Sequence, residues 1–178
     1  METSFPSVLS DGFEAVSGVK KLPVPQVFEQ TPDLPRFSIL VIDDNPDDKR
    51  LLRLALKWSR LPVEVTVRVA DDCEAALRSV ADGTAPLPNL VLIDLERKGK
   101  RCLRALENLK QNEATRAIPV AAWARTGDRE LDSAYAAQAN CVLQKPETVE
   151  QAELLLTRLV RFWSSPFVFL PRSVRANA

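Results

Sequence analysis

The sequence predicts an α/β domain built on a doubly wound, five-stranded parallel sheet with helices on both faces. From Ser38 to Trp163, short segments rich in Val, Ile and Leu alternate with amphipathic segments. Three of the apolar segments end in a charged residue, as buried strands do where they reach the edge of a sheet. Five βα units in succession favour parallel strands joined by right-handed helical crossovers.

The first two βα units have clear boundary signals. Asn45 is a good N-cap and Pro46 a good first helical residue. Valines alternate with polar residues in the second strand, which is typical of a sheet edge, and Gly83 ends the helix that follows. The predicted elements are a strand at Ser38–Ile42, a helix at Pro46–Ser59, a strand at Val63–Val69 and a helix at Asp72–Ala81. The first helix has one apolar stripe, formed by Leu51, Leu52, Ala55 and Trp58.

The remaining three units repeat the same alternation. Their strands are short, continuous apolar runs, as expected for the interior of a parallel sheet. The predicted strands are Leu90–Leu95, Ile118–Ala124 and Cys141–Gln144. The predicted helices are Arg101–Gln111, Arg129–Gln138 and Val149–Trp163. The last helix has an apolar inner face, formed by Ala152, Leu155, Leu156, Leu159 and Trp163.

The two flanking segments lack this alternation. Residues 1–36 contain several prolines and no sustained periodicity, so we expect a flexible extension ahead of a domain at residues 37–164. Residues 165–178 form a separate tail with an apolar, β-prone segment between two prolines. That segment consists of Phe167, Val168, Phe169 and Leu170. It either packs back on its own domain or joins two copies in a homodimer, and we favour the dimer arm.

Composition excludes several classes of function. The 178 residues carry no net charge, and no apolar run approaches the roughly 20 residues of a membrane span, so we expect neither nucleic acid nor membrane as a partner. The chain has no histidine, which excludes histidine triads, histidine metal ligands and an internal phosphodonor histidine. The N-terminus has no signal-peptide pattern, which predicts a cytoplasmic protein. Cys73, Cys102 and Cys141 are odd in number and widely spaced, so we expect small buried side chains rather than a disulfide.

Charged residues follow three strands of the predicted sheet. Asp43 and Asp44 follow the first strand, Asp94 the third and Lys145 the fifth. Ligands of doubly wound sheets bind outside the carboxyl ends of the strands. Neighbouring carboxylates repel one another, and a divalent cation such as Mg²⁺ relieves that repulsion. A carboxylate beside Mg²⁺ can attack phosphorus and form an acyl phosphate, whose oxygens Lys145 can contact.

These residues resemble the receiver domains of CheY-like response regulators. The resemblance is carried by Val41-Ile42-Asp43-Asp44-Asn45-Pro46, Leu92-Ile93-Asp94-Leu95 and Gln144-Lys145-Pro146. It covers about Phe37 to Trp163. Within the family the chain looks most similar to the small regulators paired with phytochromes, on the basis of Asp47-Asp48, Ile118-Pro119-Val120, Ala139-Asn140, Arg161-Phe162-Trp163 and Leu170-Pro171.

The resemblance implies a strand order of 2-1-3-4-5, which sets Asp43, Asp44 and Asp94 side by side. It implies that these acids bind Mg²⁺, that Asp94 accepts a phosphoryl group contacted by Lys145, and that a histidine kinase, of phytochrome type, is the donor. The implied protein is a single-domain response regulator of a two-component system. We expect no enzymatic activity, and we expect signalling by protein–protein contact because no DNA-binding or catalytic output domain follows; the sequence does not identify the downstream protein.

The chain departs from the family pattern where phosphorylation is coupled to output. The Ser or Thr expected at the end of strand four is replaced by Ala124 or Trp123, depending on the direction of counting, and the switch aromatic by Val142. The loop after Asp94 is short, and Glu96 either approaches the phosphoryl group or metal, or lies in solvent. A phosphorylation-independent pseudo-receiver module is therefore the alternative function, and an enzyme acting on a small phosphorylated substrate is the third.

Overall fold

Five strands and five helices alternate in the computed structural model, which describes residues 36–96, 99–125, 128–166 and 168, with the backbone alone at 128–130. The strands are β1 (Arg36–Ile42), β2 (Glu64–Ala70), β3 (Leu90–Asp94), β4 (Val120–Ala124) and β5 (Cys141–Gln144). The helices are α1 (Pro46–Trp58), α2 (Cys73–Ala81), α3 (Gly99–Gln111), α4 (Asp128–Ala136) and α5 (Val149–Trp163). Residues 1–35, the predicted extension, lie outside the described residues. Among the described helices, none is long and apolar enough to cross a membrane.

The strands form one parallel sheet in the order β2-β1-β3-β4-β5. Both the predicted fold class and the predicted strand order are confirmed. β2 lies at an edge, as its alternating pattern predicted, and β3 lies at the centre with all five of its residues buried. Because β1 and β3 are paired and parallel, their carboxyl ends lie next to each other on the carboxyl-terminal side of the sheet.

Side chains alternate between two hydrophobic clusters, one on each face of the sheet. The first cluster packs the sheet against α2, α3 and α4, through residues such as Leu77, Leu106 and Ala134. The second packs it against α1 and α5, through residues such as Leu52 and Leu156. Because side chains alternate along each strand, every strand position lies on one of these two faces. The face determines which side chains can reach the functional site.

Local signals position the helices that follow the strands. The side chain of Asn45 accepts a hydrogen bond from the Asp47 N–H at 3.0 Å, which caps α1 as predicted. Gly83 has a φ of 70°, and this left-handed conformation ends α2. Gln138 also has a positive φ, 66°, so α4 ends at Ala136 rather than at Gln138 as predicted. α3 begins at Gly99, earlier than predicted.

One predicted core position is wrong. Trp58 was expected on the inner stripe of α1, but 69% of it is exposed. The buried positions of α1 are Asp48, Leu52 and Ala55, so Trp58 lies on the rim of the stripe and in the last turn. The inner face of α5 is as predicted, with Leu156 and Ala152 buried.

The cysteines also differ from the prediction. Cys73 at the start of α2 and Cys102 in the first turn of α3 form a disulfide, with their Cα atoms 5.5 Å apart and a sequence separation of 29. The expectation that no disulfide forms was wrong because helices α2 and α3 pack side by side, which cysteine spacing alone does not reveal. Cys141 is a free thiol and is partly buried.

Candidate functional site

Strand alternation brings four charged or aromatic side chains to one place. Asp43, Asp94, Trp123 and Lys145 all occupy positions on the α1/α5 face, because each lies two residues beyond a member of that cluster: Val41, Leu92, Ala121 and Leu143. They lie at or just beyond the carboxyl ends of β1, β3, β4 and β5. The predicted site is therefore assembled at this edge of the sheet.

Three carboxylates form a compact group at the centre of the site. Asp43, Asp44 and Asp94 each offer one oxygen, and these oxygens lie within 4.8 Å of one another. Asp43 and Asp94 are buried, with 2% and 6% exposed. Burial raises the pKa of the Asp43 carboxyl, an effect that the hydrogen bond from the Asn45 N–H and the charge of Lys145 oppose and that the charge of Asp94 reinforces. The acids predicted to act together are in fact neighbours.

Lys145 lies against these acids. Its Nζ is 3.1 Å from Asp43 Oδ2 and 3.1 Å from Asp94 Oδ2, and the residue is 2% exposed. Burial opposes the charge on the ammonium, but the hydrogen bond to Asp48 and the charges of Asp43 and Asp94 outweigh burial and raise the pKa of Lys145. The predicted contact residue therefore stays charged and is directed at the predicted acceptor.

Asp48 belongs to the site although sequence analysis assigned it no role. It lies on the buried face of α1, and its Oδ2 is 2.6 Å from Lys145 Nζ, the shortest of the contacts around this ammonium. The available signal was a charged residue on the stripe that also contains Leu52 and Ala55. A carboxylate at such a position needs a partner, and Lys145 supplies it.

A second cation, Arg125, lies over the outer side of the site. Its guanidinium contacts Asp48 at 2.9 Å and Glu96 at 2.7 Å, and its backbone N–H donates to Glu96 Oε1 at 2.7 Å. Glu96 lies at the rim of the site, since its Oε2 is also 3.8 Å from Lys145 Nζ. Its approach to a phosphoryl group or metal stays a prediction. Burial opposes the charge on Arg125, whereas Asp48 and Glu96 outweigh it and raise the pKa of the guanidinium. Glu96 and Arg125 thus bridge the loops that follow β3 and β4.

The structure decides which residue occupies the position of the expected hydroxyl. Trp123 pairs with Asp94 in the sheet, is 1% exposed, and has its ring centroid 5.5 Å from Lys145 Nζ. Ala124 points to the opposite face by strand alternation. An indole that contacts the ammonium therefore occupies the position of the expected hydroxyl. Thr126, the first hydroxyl-bearing residue after Trp123 in the sequence, lies outside the described residues.

The donor set fits a divalent metal ion. Three carboxylate oxygens within 4.8 Å of one another can converge on one ion of oxygen-preferring type after small side-chain rotations. The carboxylates of the site also outnumber Lys145 and Arg125 among the described residues, so a further positive charge would be favourable there.

The chain is similar to known regulators over most of its length, although no family model matches it. It is 27% identical to response regulator Rcp1 of Synechocystis sp., over 72% of this chain and 90% of that protein. It is 30% identical to the probable methanogenesis regulatory protein FilR2 of Methanothrix harundinacea, over 71% of this chain and 83% of that protein. The chain belongs to the CheY-like response regulators. It is therefore a two-component response regulator by family, as the motifs predicted.

Two solved structures of response regulators share the fold, one bound to a metal ion and one phosphorylated. The Mn²⁺-bound form of Rcp1 is 26% identical, with a TM-score of 0.62 over 76% of this chain and 99% of that one. The phosphorylated cyanobacterial phytochrome response regulator RcpA is 25% identical, with a TM-score of 0.63 over 76% of this chain and 99% of that one. In those two proteins the fold holds, respectively, a divalent metal and a phosphoryl group.

The predicted dimer arm falls mostly on residues that the structure does not describe. Phe167, Phe169 and Leu170 lie outside the described residues. Of the four residues of the arm, Val168 is described, and its N–H donates to the Ser165 carbonyl in a turn beyond α5. The homodimer stays a prediction.

Proposed function

We propose that this response regulator accepts a phosphoryl group on Asp94 from a histidine kinase and signals by protein–protein contact. The observation that carries the proposal is the position of Asp94, which is buried, lies beside Asp43 and Asp44, and is 3.1 Å from the ammonium of Lys145. A nucleophilic carboxylate, a divalent-metal donor set and a fixed positive charge are the groups that this transfer needs.

In the proposed reaction an oxygen of Asp94 attacks the phosphorus of a phosphohistidine. The bond from phosphorus to the imidazole nitrogen breaks, that nitrogen takes up a proton, and an acyl phosphate forms on Asp94. Mg²⁺, when held by Asp43, Asp44 and Asp94, would neutralise charge on the phosphoryl oxygens. Lys145 would exchange its contact with Asp94 Oδ2 for one with a phosphoryl oxygen while Asp48 and Asp43 keep the ammonium in place.

A small-molecule donor tests the transfer without a cognate kinase. The full chain is incubated with phosphoramidate, which also transfers phosphorus from nitrogen, and with Mg²⁺, and its intact mass is measured. We expect the mass of one added phosphoryl group, which hydroxylamine removes, as it does from acyl phosphates. Asp94→Asn should gain nothing, whereas Asp47→Asn, which changes an exposed acid on α1, should react like the wild type. An unmodified wild-type chain would contradict the proposal.

Metal binding has its own test. Calorimetry at millimolar Mg²⁺ should show binding to the wild type and a loss of affinity in Asp43→Asn, with Asp47→Asn again as the matched control. Each carboxylate removed takes away one ligand and one negative charge. If the wild type, Asp43→Asn and Asp47→Asn all give the same weak heat of binding on addition of Mg²⁺, Mg²⁺ is not the cofactor.

A phosphorylation-independent interaction module is the second candidate. It is favoured by the contacts within the site, because Lys145 and Arg125 already form ion pairs with Asp43, Asp48, Asp94 and Glu96. Beryllofluoride with Mg²⁺ separates the two candidates. A phosphoacceptor should show amide shifts at Asp94 and along β4, whereas a module of the second kind should show none.

We assign the donor to the phytochrome-type kinases. The support is the 25% identical RcpA, which is described as a phytochrome response regulator and is covered over 99% of its length. Transfer from a phosphorylated phytochrome kinase to the chain should be faster than transfer from a chemotaxis-type kinase at equal concentration. Equal rates would remove this part of the proposal.

A further inference from the structure

The starts of α2 and α3 are joined by a pair of buried cysteines. Cys73 and Cys102 are 2% and 3% exposed, and their Cα atoms are 5.5 Å apart, within the usual range for a disulfide. Cys141 on β5 belongs to the cluster on the other face of the sheet. The fold therefore selects one pair of the three cysteines.

One cysteine of this pair lies at the wall of the candidate site. Cys102 lines the pocket that also contains Asp43, Asp44 and Asp94. Cys102 is eight residues after Asp94, and Glu96 lies in the connection between them. Cys102 thus borders the same pocket as the acids, with 3% of the residue exposed.

A weaker contact links the same two helix starts. The Arg101 guanidinium lies 2.9 Å from Glu74, and both side chains are largely exposed, at 62% and 45%. Exposed ion pairs of this kind contribute little. The disulfide is therefore a covalent constraint between the starts of α2 and α3 next to the pocket, and it adds to the apolar packing of the two helices.

We propose that Cys73 and Cys102 are a redox-modification site whose oxidation fixes the wall of the acidic pocket. The oxidant is a peroxide. One thiol sulfur attacks a peroxide oxygen and forms a sulfenic acid with release of water, and the second thiol then attacks that sulfur and releases a second water. Two thiols and one hydrogen peroxide give one disulfide and two waters, and a dithiol reductant reverses the change.

Oxidation has two consequences. Closing a 29-residue loop reduces the freedom of the unfolded chain, so the oxidised protein melts roughly 10 °C higher than the reduced one. A fixed start of α3 also preorganises the pocket, so Mg²⁺ binds severalfold more tightly to the oxidised protein. The second consequence rests on the proposed function, whereas formation of the bond does not.

The test uses the full chain, reduced and then treated with hydrogen peroxide. Maleimide labelling counted by mass should find three thiols before treatment and one afterwards. Cys141→Ser should still lose two thiols and gain in melting temperature. Cys73→Ser and Cys102→Ser should each show no disulfide and no gain. A serine hydroxyl at either buried position destabilises the fold whether or not a disulfide is lost. The double variant Cys73→Ala/Cys102→Ala therefore serves as a second, apolar replacement.

The outcomes separate the redox site from the proposed function. Failure to form the Cys73–Cys102 bond in the wild type, shown by peptide mapping, overturns the inference. Equal Mg²⁺ affinity in the reduced and oxidised wild type overturns the coupling to the pocket. If the bond forms and the melting temperature rises but neither state binds Mg²⁺, the metal site fails while the redox site stands.

Discussion

Two buried lysines lie at opposite ends of the parallel strands and have opposite electrostatic surroundings. Lys145 follows β5 at the carboxyl edge and contacts the carboxylates of Asp43, Asp48 and Asp94. Lys110, at the end of α3, lies near the amino ends of β4 and β5. Its Nζ donates to the carbonyls of Ile118 at 2.7 Å and Arg116 at 3.4 Å, and to Asn140 Oδ1 at 3.1 Å.

The pKa values of these lysines shift in opposite directions. Burial lowers the pKa of Lys110 to about 8, because its neighbours are neutral dipoles. For Lys145 the acids outweigh burial and raise the pKa. With neutral acceptors, Lys110 connects a helix to the starts of two strands by hydrogen bonds. With charged acceptors, Lys145 is a cation whose ion pairs would change when a phosphoryl group or a metal binds to the same carboxylates.

The largest expected effect is the loss of the Lys145 charge. Lys145→Met leaves buried carboxylates without their cation, which should lower the free energy of unfolding by about 3–5 kcal/mol. Lys110→Met removes a donor from neutral acceptors and should lower the free energy of unfolding by about 1–2 kcal/mol. The loss is small because Asn140 Oδ1 still accepts a hydrogen bond from the Val120 N–H. Urea unfolding of both variants measures the difference.

Mg²⁺ makes this comparison sharper. Millimolar Mg²⁺ should restore part of the stability of Lys145→Met, since a second cation then compensates the same carboxylates, and should restore none to Lys110→Met. If the two variants lose equal stability and respond equally to Mg²⁺, the surroundings of the two lysines are not functionally different.

The next effect is the pH dependence caused by Lys110. The folded protein binds this proton with a pKa of about 8, and the unfolded chain with the ordinary 10.5. Between these values the unfolded state holds more protons, so stability rises with pH, by as much as about 3 kcal/mol. The stability of the wild type relative to Lys110→Met should therefore increase from pH 8 to pH 10. A constant difference across that interval would show that the Lys110 pKa is not lowered.

The smallest effect concerns the Glu96–Arg125 bridge. Arg125 is 44% exposed in its side chain, so Arg125→Gln and Glu96→Gln should each change stability by less than about 1 kcal/mol. Their effects on Mg²⁺ affinity should have opposite signs: Arg125→Gln strengthens binding and Glu96→Gln weakens it, because each changes the charge next to Asp48 or Lys145. Arg36→Gln, which breaks the exposed pair with Glu64 at the other end of the sheet, is the control. Shifts of the same sign in both variants would exclude an electrostatic cause.

The fold could be predicted because its information is local. Apolar runs, the Asn45-Pro46 helix start and the Gly83 helix end each act within a few residues, and five repeats of one pattern leave few topologies. Trp58 was misplaced because an apolar stripe shows which side of a helix is inward but not where the sheet beneath it ends.

The site was predictable only where residues lie at strand ends. Asp43, Asp94 and Lys145 were found in this way, whereas the Arg125–Asp48 contact joins residues 77 apart and depends on how α1 packs on the sheet. The disulfide was also missed, because it depends on how two helices pack side by side. Counting along the sequence left Trp123 and Ala124 open, and the structure selects Trp123, which lies on the same face of the sheet as Ala121 and the acids.

The contact between Trp123 and Lys145 supplies the protein with an internal fluorophore. The indole is 1% exposed and 5.5 Å from the ammonium, so its emission depends on the field of that charge and on the acids around it. Trp58 and Trp163 are the two other tryptophans of the chain, and replacing both with phenylalanine leaves a single reporter. Titrating that variant with metal or beryllofluoride would then show occupancy of the site as a change in colour and intensity of emitted light, without any label.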